Sequence, residues 1–282
     1  MSNEKKINSF ISSCYCHLKK CPSPGQKQPI RARRRGLALL INLLYTVQSA
    51  NGGKTIYRNK QFICQPKRYD DIAMPKIFKR NADPCTIVGC KWFKSGEHVY
   101  IPYYIDTNYS PEERHQILAV LQRFNKSTCI RFVPFKLKNS DYLYFYTRPN
   151  EGCWSYIGRQ GGGQFISLER NKCLRTSTVS HEVLHALGFN HEQVRIDRDE
   201  YIRVLFQNIK PGRFNFWKVR TNNMGSPYDY NSVMHYKKYA FSKNGQPTIA
   251  ARSHQIHSFG NSYGMSNTDI DRVNKLYNCR KN

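Results

Sequence analysis

Three histidines with a fixed spacing constrain this chain more than any other feature of its sequence. His181 and His185 are four residues apart, so on a helix they lie one turn apart on the same face and can bind one ion. Gly188 lets the chain turn sharply out of that helix, and His191 can then return to the same ion. Three nitrogen ligands leave one coordination position open, which is typical of a catalytic zinc site. The sequence therefore predicts one Zn²⁺ per chain.

Two residues near these histidines complete the predicted site. Glu182 projects beside His181, close enough to accept a proton from the attacking water. Met234 follows the third histidine by about 40 residues, a position that predicts a Met-turn. An ordinary core methionine stays an alternative for Met234. Surface histidines on an amphipathic helix are the alternative for the whole motif, which the added Gly188 and His191 disfavour.

The cysteines and charges indicate a compartment and exclude several classes of protein. Ten cysteines without a Cys-x-x-Cys pair favour disulfides in an oxidising compartment over a thiolate metal site. The net charge is +26, of which residues 1–80 contribute +14 and residues 81–282 contribute +12, the latter without basic blocks. We therefore expect no nucleic-acid partner; a solvated basic surface is favoured over a polyanion-binding face. The longest apolar run, residues 37–44, is too short to span a bilayer, so no membrane span is expected.

Changes in composition divide the chain into four segments. Residues 31–50 join an arginine cluster to an apolar stretch that ends in small residues, a pattern typical of a secretory signal, and predict a secreted, extracellular protein. Residues 1–30 precede this signal as an extension whose place in the native protein is left open. Residues 51–80 are interpreted as a polar, basic connector that ends at the dibasic processing site Lys79-Arg80. Residues 81–282 form the predicted catalytic domain.

Capping and periodicity predict both helices and strands within residues 81–282. Ser110-Pro-Glu-Glu113 is a capping box with proline at the first helical position, which predicts a helix over about 111–125. A second helix is predicted over about 177–187, ending at Gly188, and a third begins after the cap Ser266. Strands are predicted at Ile130–Phe135, Tyr142–Thr147 and Gln164–Leu168.

These residues resemble a known family. The segment His181–Tyr201, which reads HEVLHALGFNHEQVRIDRDEY, is similar to the extended signature of the astacin family of zinc endopeptidases. The resemblance continues through shorter segments and spans essentially all of residues 81–282. Those segments are Thr128–Pro134, Gly152–Gly158, Pro227–Tyr230 and Gly264–Ser266. Cys85 and Cys90 are additional to the family's usual four cysteines and resemble the six-cysteine branch that includes fish hatching enzymes.

The resemblance implies a fold and an activity. The fold is an α+β zincin or metzincin fold, with a mixed twisted sheet and long helices in two subdomains either side of an active-site cleft. The activity is that of a secreted, monomeric zinc metalloendopeptidase made as a zymogen, with residues 51–80 as its propeptide. It would act on extended peptide or protein substrates, and egg-envelope proteins, matrix precursors and general digestive targets all stay open. The alternative is a zinc-containing extracellular binding protein without catalysis. The presence of Glu182 and Tyr236 disfavours it, because a non-catalytic protein need retain neither residue.

The resemblance also implies roles for residues outside the histidine motif. Tyr236 would ligate zinc at rest and swing away to stabilise the oxyanion. Asp71 would be the propeptide residue that occupies the zinc, within a Phe-x-Gly-Asp pattern. This chain has Arg68 in place of the phenylalanine and Asp70 in place of the glycine, and glycine permits backbone geometry that aspartate adopts only at a cost. A solvated linker carboxylate stays an alternative for Asp71.

Disulfides and a substrate strand follow from the same likeness. The implied pairs are Cys129 with Cys279, Cys153 with Cys173, and Cys85 with Cys90. Cys153–Ile166 is expected to include the edge strand along which an extended peptide lies. The remaining histidines considered, His235, His254 and His257, are not needed as ligands and are expected on the surface.

Overall fold

The structure, a computed structural model, describes residues 68–73, 90–212 and 214–280. Ten strands are described: β1 (Arg68–Tyr69), β2 (Ile72–Ala73), β3 (Lys94–Ser95), β4 (His98–Ile105), β5 (Ile130–Pro134), β6 (Tyr142–Tyr146), β7 (Cys153–Tyr156), β8 (Gly163–Leu168), β9 (Ile202–Val204) and β10 (Ile249–Ala251). The described α-helices are α1 (Pro111–Ser127), α2 (Thr176–Ala186) and α3 (Asn267–Leu276). The predictions for residues 1–30 and 31–50, the processing site Lys79-Arg80, and Cys85 lie outside the described residues.

The main sheet is mixed, as predicted. Its strand order is β1-β2-β7-β8-β6-β4-β3, and β5 pairs with β4 in parallel. The pairs β4–β6, β6–β8 and β2–β7 are also parallel, whereas β7–β8, β3–β4 and β1–β2 are antiparallel. A separate two-stranded sheet joins β9 and β10. Strands and helices together confirm the α+β class.

Helix α1 begins where the capping box predicts. The Ser110 side chain accepts from the Glu113 backbone amide, and the Glu113 carboxylate accepts from the Ser110 amide at 2.8 Å. Pro111 occupies the first turn, where backbone amides have no helical hydrogen-bond partner, so the missing N–H of proline costs no hydrogen bond. The helix runs to Ser127, two residues beyond the expected end, and the Thr128 amide after it still donates to the Phe124 carbonyl.

Buried apolar side chains form two clusters among the described residues. The larger lies between the main sheet and helices α1, α2 and α3. The smaller is built from residues 202–259 and includes Tyr228 and Tyr236. The structure contains the disulfides Cys129–Cys279, which ties the segment after α3 to the start of β5, and Cys153–Cys173. Cys90 is also disulfide-bonded, but its expected partner Cys85 is not described.

A buried charge cluster joins the segment after the histidine motif to helix α3. Arg272 contacts both carboxylate oxygens of Glu192, at 2.6 and 2.9 Å, and Arg195 reaches the same carboxylate at 3.1 Å. The Glu192 and Arg272 side chains are only 4% and 8% exposed. Removing one partner of such a pair leaves a charge in a poorly solvated place, which is strongly destabilising.

We expect Arg272→Met to lower the free energy of unfolding by about 3 kcal/mol, because Glu192 keeps only Arg195 as a cationic partner. The measurement is urea unfolding followed by tryptophan fluorescence. The matched control is Lys275→Met on the same helix, since Lys275 pairs with Asp271 where both side chains are more than 40% exposed. That control should cost less than about 1 kcal/mol. Equal losses in the two variants would contradict the structural role of the buried pair.

Candidate active site

Helix α2 carries the first two histidines of the motif to one place. His181 and His185 lie on the same helix face, with ring centroids 4.6 Å apart. The helix ends at Ala186, and Gly188 has φ of +107°, a conformation that side chains other than glycine rarely adopt. The turn brings His191 back, so that its ring centroid lies 5.1 Å from that of His181 and 4.8 Å from that of His185. The sharp exit predicted from the sequence is therefore present.

Backbone carbonyls orient two of the imidazoles. The Nδ1 of His181 lies 2.9 Å from the Val233 carbonyl oxygen, and the Nδ1 of His185 lies 2.7 Å from the Phe189 carbonyl oxygen. A carbonyl oxygen only accepts, so in each neutral ring the proton is on Nδ1 and the lone pair is on Nε2. Contacts of this kind, made by the ring nitrogen that faces away from the metal, are usual for metal-binding histidines.

Asp71 completes a cluster of four ligand groups with the three histidines. Its carboxylate lies 3.0 Å from the Nε2 of His181, 3.1 Å from that of His191 and 3.7 Å from that of His185. One ligand atom from each of the four residues falls within 4.8 Å of the others. The structure thus brings Asp71 and the three predicted metal ligands together.

The donor atoms of this cluster fit a divalent cation. The Nε2 atoms of His181 and His191 face each other at 3.2 Å, and the His185 Nε2 is buried without a hydrogen-bond partner among the described residues. With the proton of each ring on Nδ1, the two Nε2 lone pairs would repel across so short a distance unless a cation lay between them. Three imidazoles and one carboxylate are a ligand set that zinc accepts.

Two groups of this cluster, His185 and Asp71, have protonation states that suit a metal. Burial lowers the pKa of His185 to about 4, so its ring is neutral at pH 7. Although burial opposes ionisation, the nearby His191 and the other two imidazoles hold the pKa of Asp71 well below its usual value. Burial alone would lower the pKa of His181, but Asp71 raises it.

Glu182 is enclosed beside the histidines. It is 1% exposed, and its Oε2 has no hydrogen-bond partner among the described residues. Burial raises the pKa of Glu182 well above its usual value, and the negative charges of Asp71 and Asp70 add to that shift. A carboxylate whose pKa is raised in this way is a stronger base than an ordinary glutamate, which suits proton transfer.

The predicted Met-turn lies directly against the histidines. The Val233 carbonyl is the acceptor for His181, and the Met234 carbonyl accepts from the amide of Glu192, the residue after the third histidine. Met234 is 3% exposed and belongs to the larger apolar cluster. The turn therefore fixes two segments of the histidine motif through its backbone.

Asp269 supports this turn, a role that the sequence did not reveal. Its carboxylate accepts from the Ser232 hydroxyl at 2.6 Å and from the Val233 amide at 3.0 Å. The same carboxylate accepts from the Ser266 amide and completes the capping box of α3. The capping box identified the helix start but not the second contact, which joins residues 36 and 37 positions apart.

Tyr236 lies beside the cluster but points to Asp70. Its hydroxyl donates to the Asp70 Oδ2 at 2.6 Å, and its ring centroid lies 4.6 Å from that of His191. Burial raises the pKa of Tyr236 well above its usual value, and the charges of Asp71 and Asp70 raise it further. Tyr236 therefore stays a hydrogen-bond donor. In the uncleaved chain the Tyr236 hydroxyl thus contacts a carboxylate, and the contact with the metal implied by the family resemblance stays a prediction.

The segment that carries Asp71 pairs with the main sheet. Strand β2 lies parallel to β7, and the Ser155 amide donates to the Asp71 carbonyl at 2.9 Å. Arg68 donates to the Glu151 carbonyl, and its guanidinium lies 5.6 Å from the Trp154 ring centroid. Strand β7, which lies within the predicted substrate-binding region, is thus covered by an extended segment of the same chain.

The prediction that His235 lies on the surface is wrong. His235 is 5% exposed; its Nδ1 lies 2.7 Å from the Tyr236 carbonyl oxygen, and its Nε2 accepts from the Tyr228 hydroxyl. Burial lowers the pKa of His235 to about 4. The histidine is buried because the chain folds Tyr228 and Phe259 around it. His257 is exposed and so is His254, as predicted.

The mixed sheet, the helix with its glycine exit and the cluster of three imidazoles beside a buried glutamate define a metalloendopeptidase of the metzincin type. The family model described as Astacin, a peptidase family, matches residues 90–278. The chain belongs to this family, in its hatching-enzyme-like branch, and is a zinc metalloendopeptidase.

Similar proteins come from the medaka fish, Oryzias latipes. High choriolytic enzyme 2 is 44% identical over 213 residues, which cover 74% of this chain and 75% of that protein. Low choriolytic enzyme is 39% identical over the same length and share of this chain, and over 77% of its own length. The solved structure of high choriolytic enzyme 1, described as a hatching enzyme zinc-protease, superposes with a TM-score of 0.65 at 43% identity. The superposition covers 68% of this chain and 96% of that structure.

No helix within the described residues has the length and apolar character needed to cross a membrane.

Proposed function

We propose that this protein is a secreted endopeptidase that uses one zinc ion, is synthesised as a latent precursor, and cleaves extracellular proteins. The similarity to medaka enzymes named for choriolysis makes an egg-envelope protein the first substrate to test, and a matrix protein the second. The signal-like residues 31–50 and the disulfides Cys129–Cys279 and Cys153–Cys173 support passage through the secretory pathway.

The observation that carries this proposal is the convergence of three imidazole nitrogens and one carboxylate within 4.8 Å. His181, His185 and His191 would hold the zinc ion through their Nε2 atoms. A zinc ion bound there supplies Lewis-acid polarisation of the scissile carbonyl and lowers the pKa of the attacking water. All other chemistry is assigned to side chains of this chain.

Glu182 is the proposed general base and general acid. Its enclosed carboxylate takes the proton of the attacking water and later delivers it to the leaving amine nitrogen. The Tyr236 hydroxyl, once free of Asp70, donates a hydrogen bond to the oxygen that becomes negative in the tetrahedral intermediate. A phenol keeps its proton near neutral pH because its ordinary pKa is about 10, so Tyr236 remains a donor when Glu182 acts.

Asp71 is the proposed latch of the precursor. Its carboxylate sits among the three imidazoles, where a metal and a substrate carbonyl would have to meet. The same segment covers the edge of β7, so its removal would free the Ser155 amide for an extended substrate. Cleavage after Arg80 would release the segment and expose the metal site and the substrate strand together.

Caseinolysis by the protein cleaved after Arg80 tests the proposed function. We expect hydrolysis to disappear on adding 1,10-phenanthroline and to return when zinc is restored, because the chelator removes the ion that the three histidines hold. The non-chelating isomer 1,7-phenanthroline is the control. Zinc-bound, cleaved protein that hydrolyses neither casein nor a peptide library would overturn the assignment and favour a non-catalytic zinc protein.

A further inference from the structure

Asp70 holds an unfavourable backbone conformation next to the proposed latch. Its φ is +61°, in the left-handed region, which glycine adopts freely and other residues adopt at a cost. Aspartate tolerates this region better than most residues, but a strained residue persists only where its surroundings hold it. The contacts of the Asp70 side chain therefore need an explanation.

The side chain of Asp70 reaches into the site on a different path from that of Asp71. Its Oδ2 accepts a hydrogen bond of 2.6 Å from the Tyr236 hydroxyl, whereas the Asp71 carboxylate lies among the imidazoles. Contacts on the side away from Asp70 fix the position of Tyr236. Its ring packs against Phe216 and His191, and its backbone amide donates to Gln193 Oε1. The Tyr236 hydroxyl therefore donates to Asp70 from a fixed position.

Asp70 and Asp71, which are adjacent in the chain, contact two different parts of the site, the Tyr236 hydroxyl and the three histidines. The left-handed conformation at Asp70 is part of the turn between β1 and β2, which pair Tyr69 with Ile72. With the backbone turned in this way, consecutive carboxylates reach separate targets: the phenol for Asp70 and the histidine cluster for Asp71. A glycine would make the same turn without strain but would leave the phenol unbound.

We propose that Asp70 is a second latch residue, which captures the Tyr236 hydroxyl in the uncleaved chain and keeps it from the substrate oxygen. This inference rests on the proposed function, in which Tyr236 stabilises the oxyanion. The uncleaved protein is then inhibited at two points, and loss of Asp71 alone leaves Tyr236 occupied. Release of both contacts by one cleavage couples the exposure of the metal site to the release of the phenol.

Chemical modification of Tyr236 tests the inference without relying on catalysis. The uncleaved protein is treated with tetranitromethane, and nitration of the peptide that contains Tyr236 is quantified by mass spectrometry. Loss of a hydrogen bond to a carboxylate should shift the equilibrium between bound and free Tyr236 about ten- to hundredfold toward the free form. In Asp70→Gly, the relief of backbone strain stabilises the bound form and offsets part of this shift. We therefore expect Asp70→Gly to raise nitration of Tyr236 about tenfold and Asp70→Asn to raise it less, since asparagine keeps an acceptor oxygen and tolerates the same φ.

A second measurement covers the case in which a variant folds poorly. A synthetic peptide of residues 66–76, with and without Asp70→Gly, is added to the cleaved wild-type protein, and protection of Tyr236 from nitration is measured. The wild-type peptide should protect at about tenfold lower concentration than the substituted one. Equal protection by both peptides, or equal nitration of the uncleaved wild type and Asp70→Gly, would overturn the inference. Failure of the proposed function would be detected by a different measurement, the absence of hydrolysis by the cleaved protein.

Discussion

The Glu182→Gln variant of the cleaved protein should hydrolyse peptides about 10³-fold more slowly than the wild type. Glutamine has the same shape but accepts no proton from water and donates none to the leaving amine. The glutamate is buried, and its pKa is raised, so a neutral amide of the same size fits its environment. Initial rates with a fluorogenic peptide, at saturating zinc, measure the effect.

The control for this variant separates catalysis from structure. The zinc content per chain and the thermal unfolding midpoint should equal those of the wild type, because Glu182 is not among the four residues of the proposed metal cluster. Glu200→Gln, the same change at an exposed position, is a matched substitution that should leave the rate within about twofold. A Glu182→Gln protein that keeps zinc and more than a tenth of the wild-type rate would refute the role of this carboxylate.

Asp71→Ala should make the uncleaved chain hydrolyse peptides about 100-fold faster than the uncleaved wild type. The Asp71 carboxylate contacts three imidazoles, of which His185 and His191 are buried, and would pair with a zinc ion held by them. Removing one partner of a poorly solvated charge pair costs about 3 kcal/mol, which corresponds to about a hundredfold change in the fraction of open chains. Because Asp70 still contacts Tyr236, the gain should stay below the rate of the cleaved protein.

Asp71→Asn provides the graded comparison for this latch. Its amide oxygen occupies nearly the same place without a charge, so the rate of the uncleaved chain should lie between those of the wild type and Asp71→Ala. After cleavage at Arg80 the three proteins should be equally active, since they then share one sequence. Uncleaved Asp71→Ala that stays as inactive as the wild type would contradict the latch.

Much of the fold could be predicted because local signals fixed its elements. The capping boxes at Ser110 and Ser266 marked two helix starts, and Gly188 marked the exit from α2. Strand predictions at Ile130–Phe135 and Tyr142–Thr147 differ from the structure by one residue at their ends. The three histidines lie together because helix periodicity and one glycine determine their geometry over only eleven positions.

Contacts between distant segments could not be predicted. The Tyr236 hydroxyl meets Asp70 across 166 positions, and no local pattern specifies that pair. His235 was assigned to the surface because it is not needed as a metal ligand, whereas Tyr228 and Phe259 bury it. The parallel pairing of β2 with β7 depends on which sheet edge the chain reaches, a choice that follows from the tertiary fold.

Zinc-edge anomalous diffraction from crystals of the uncleaved protein tests the central claim most directly. The account predicts one strong peak per chain, about 2.0–2.2 Å from the Nε2 atoms of His181, His185 and His191 and from one oxygen of Asp71. A zinc peak at any other position, or a His191 ring turned away from an ion bound by the other two histidines, would contradict it.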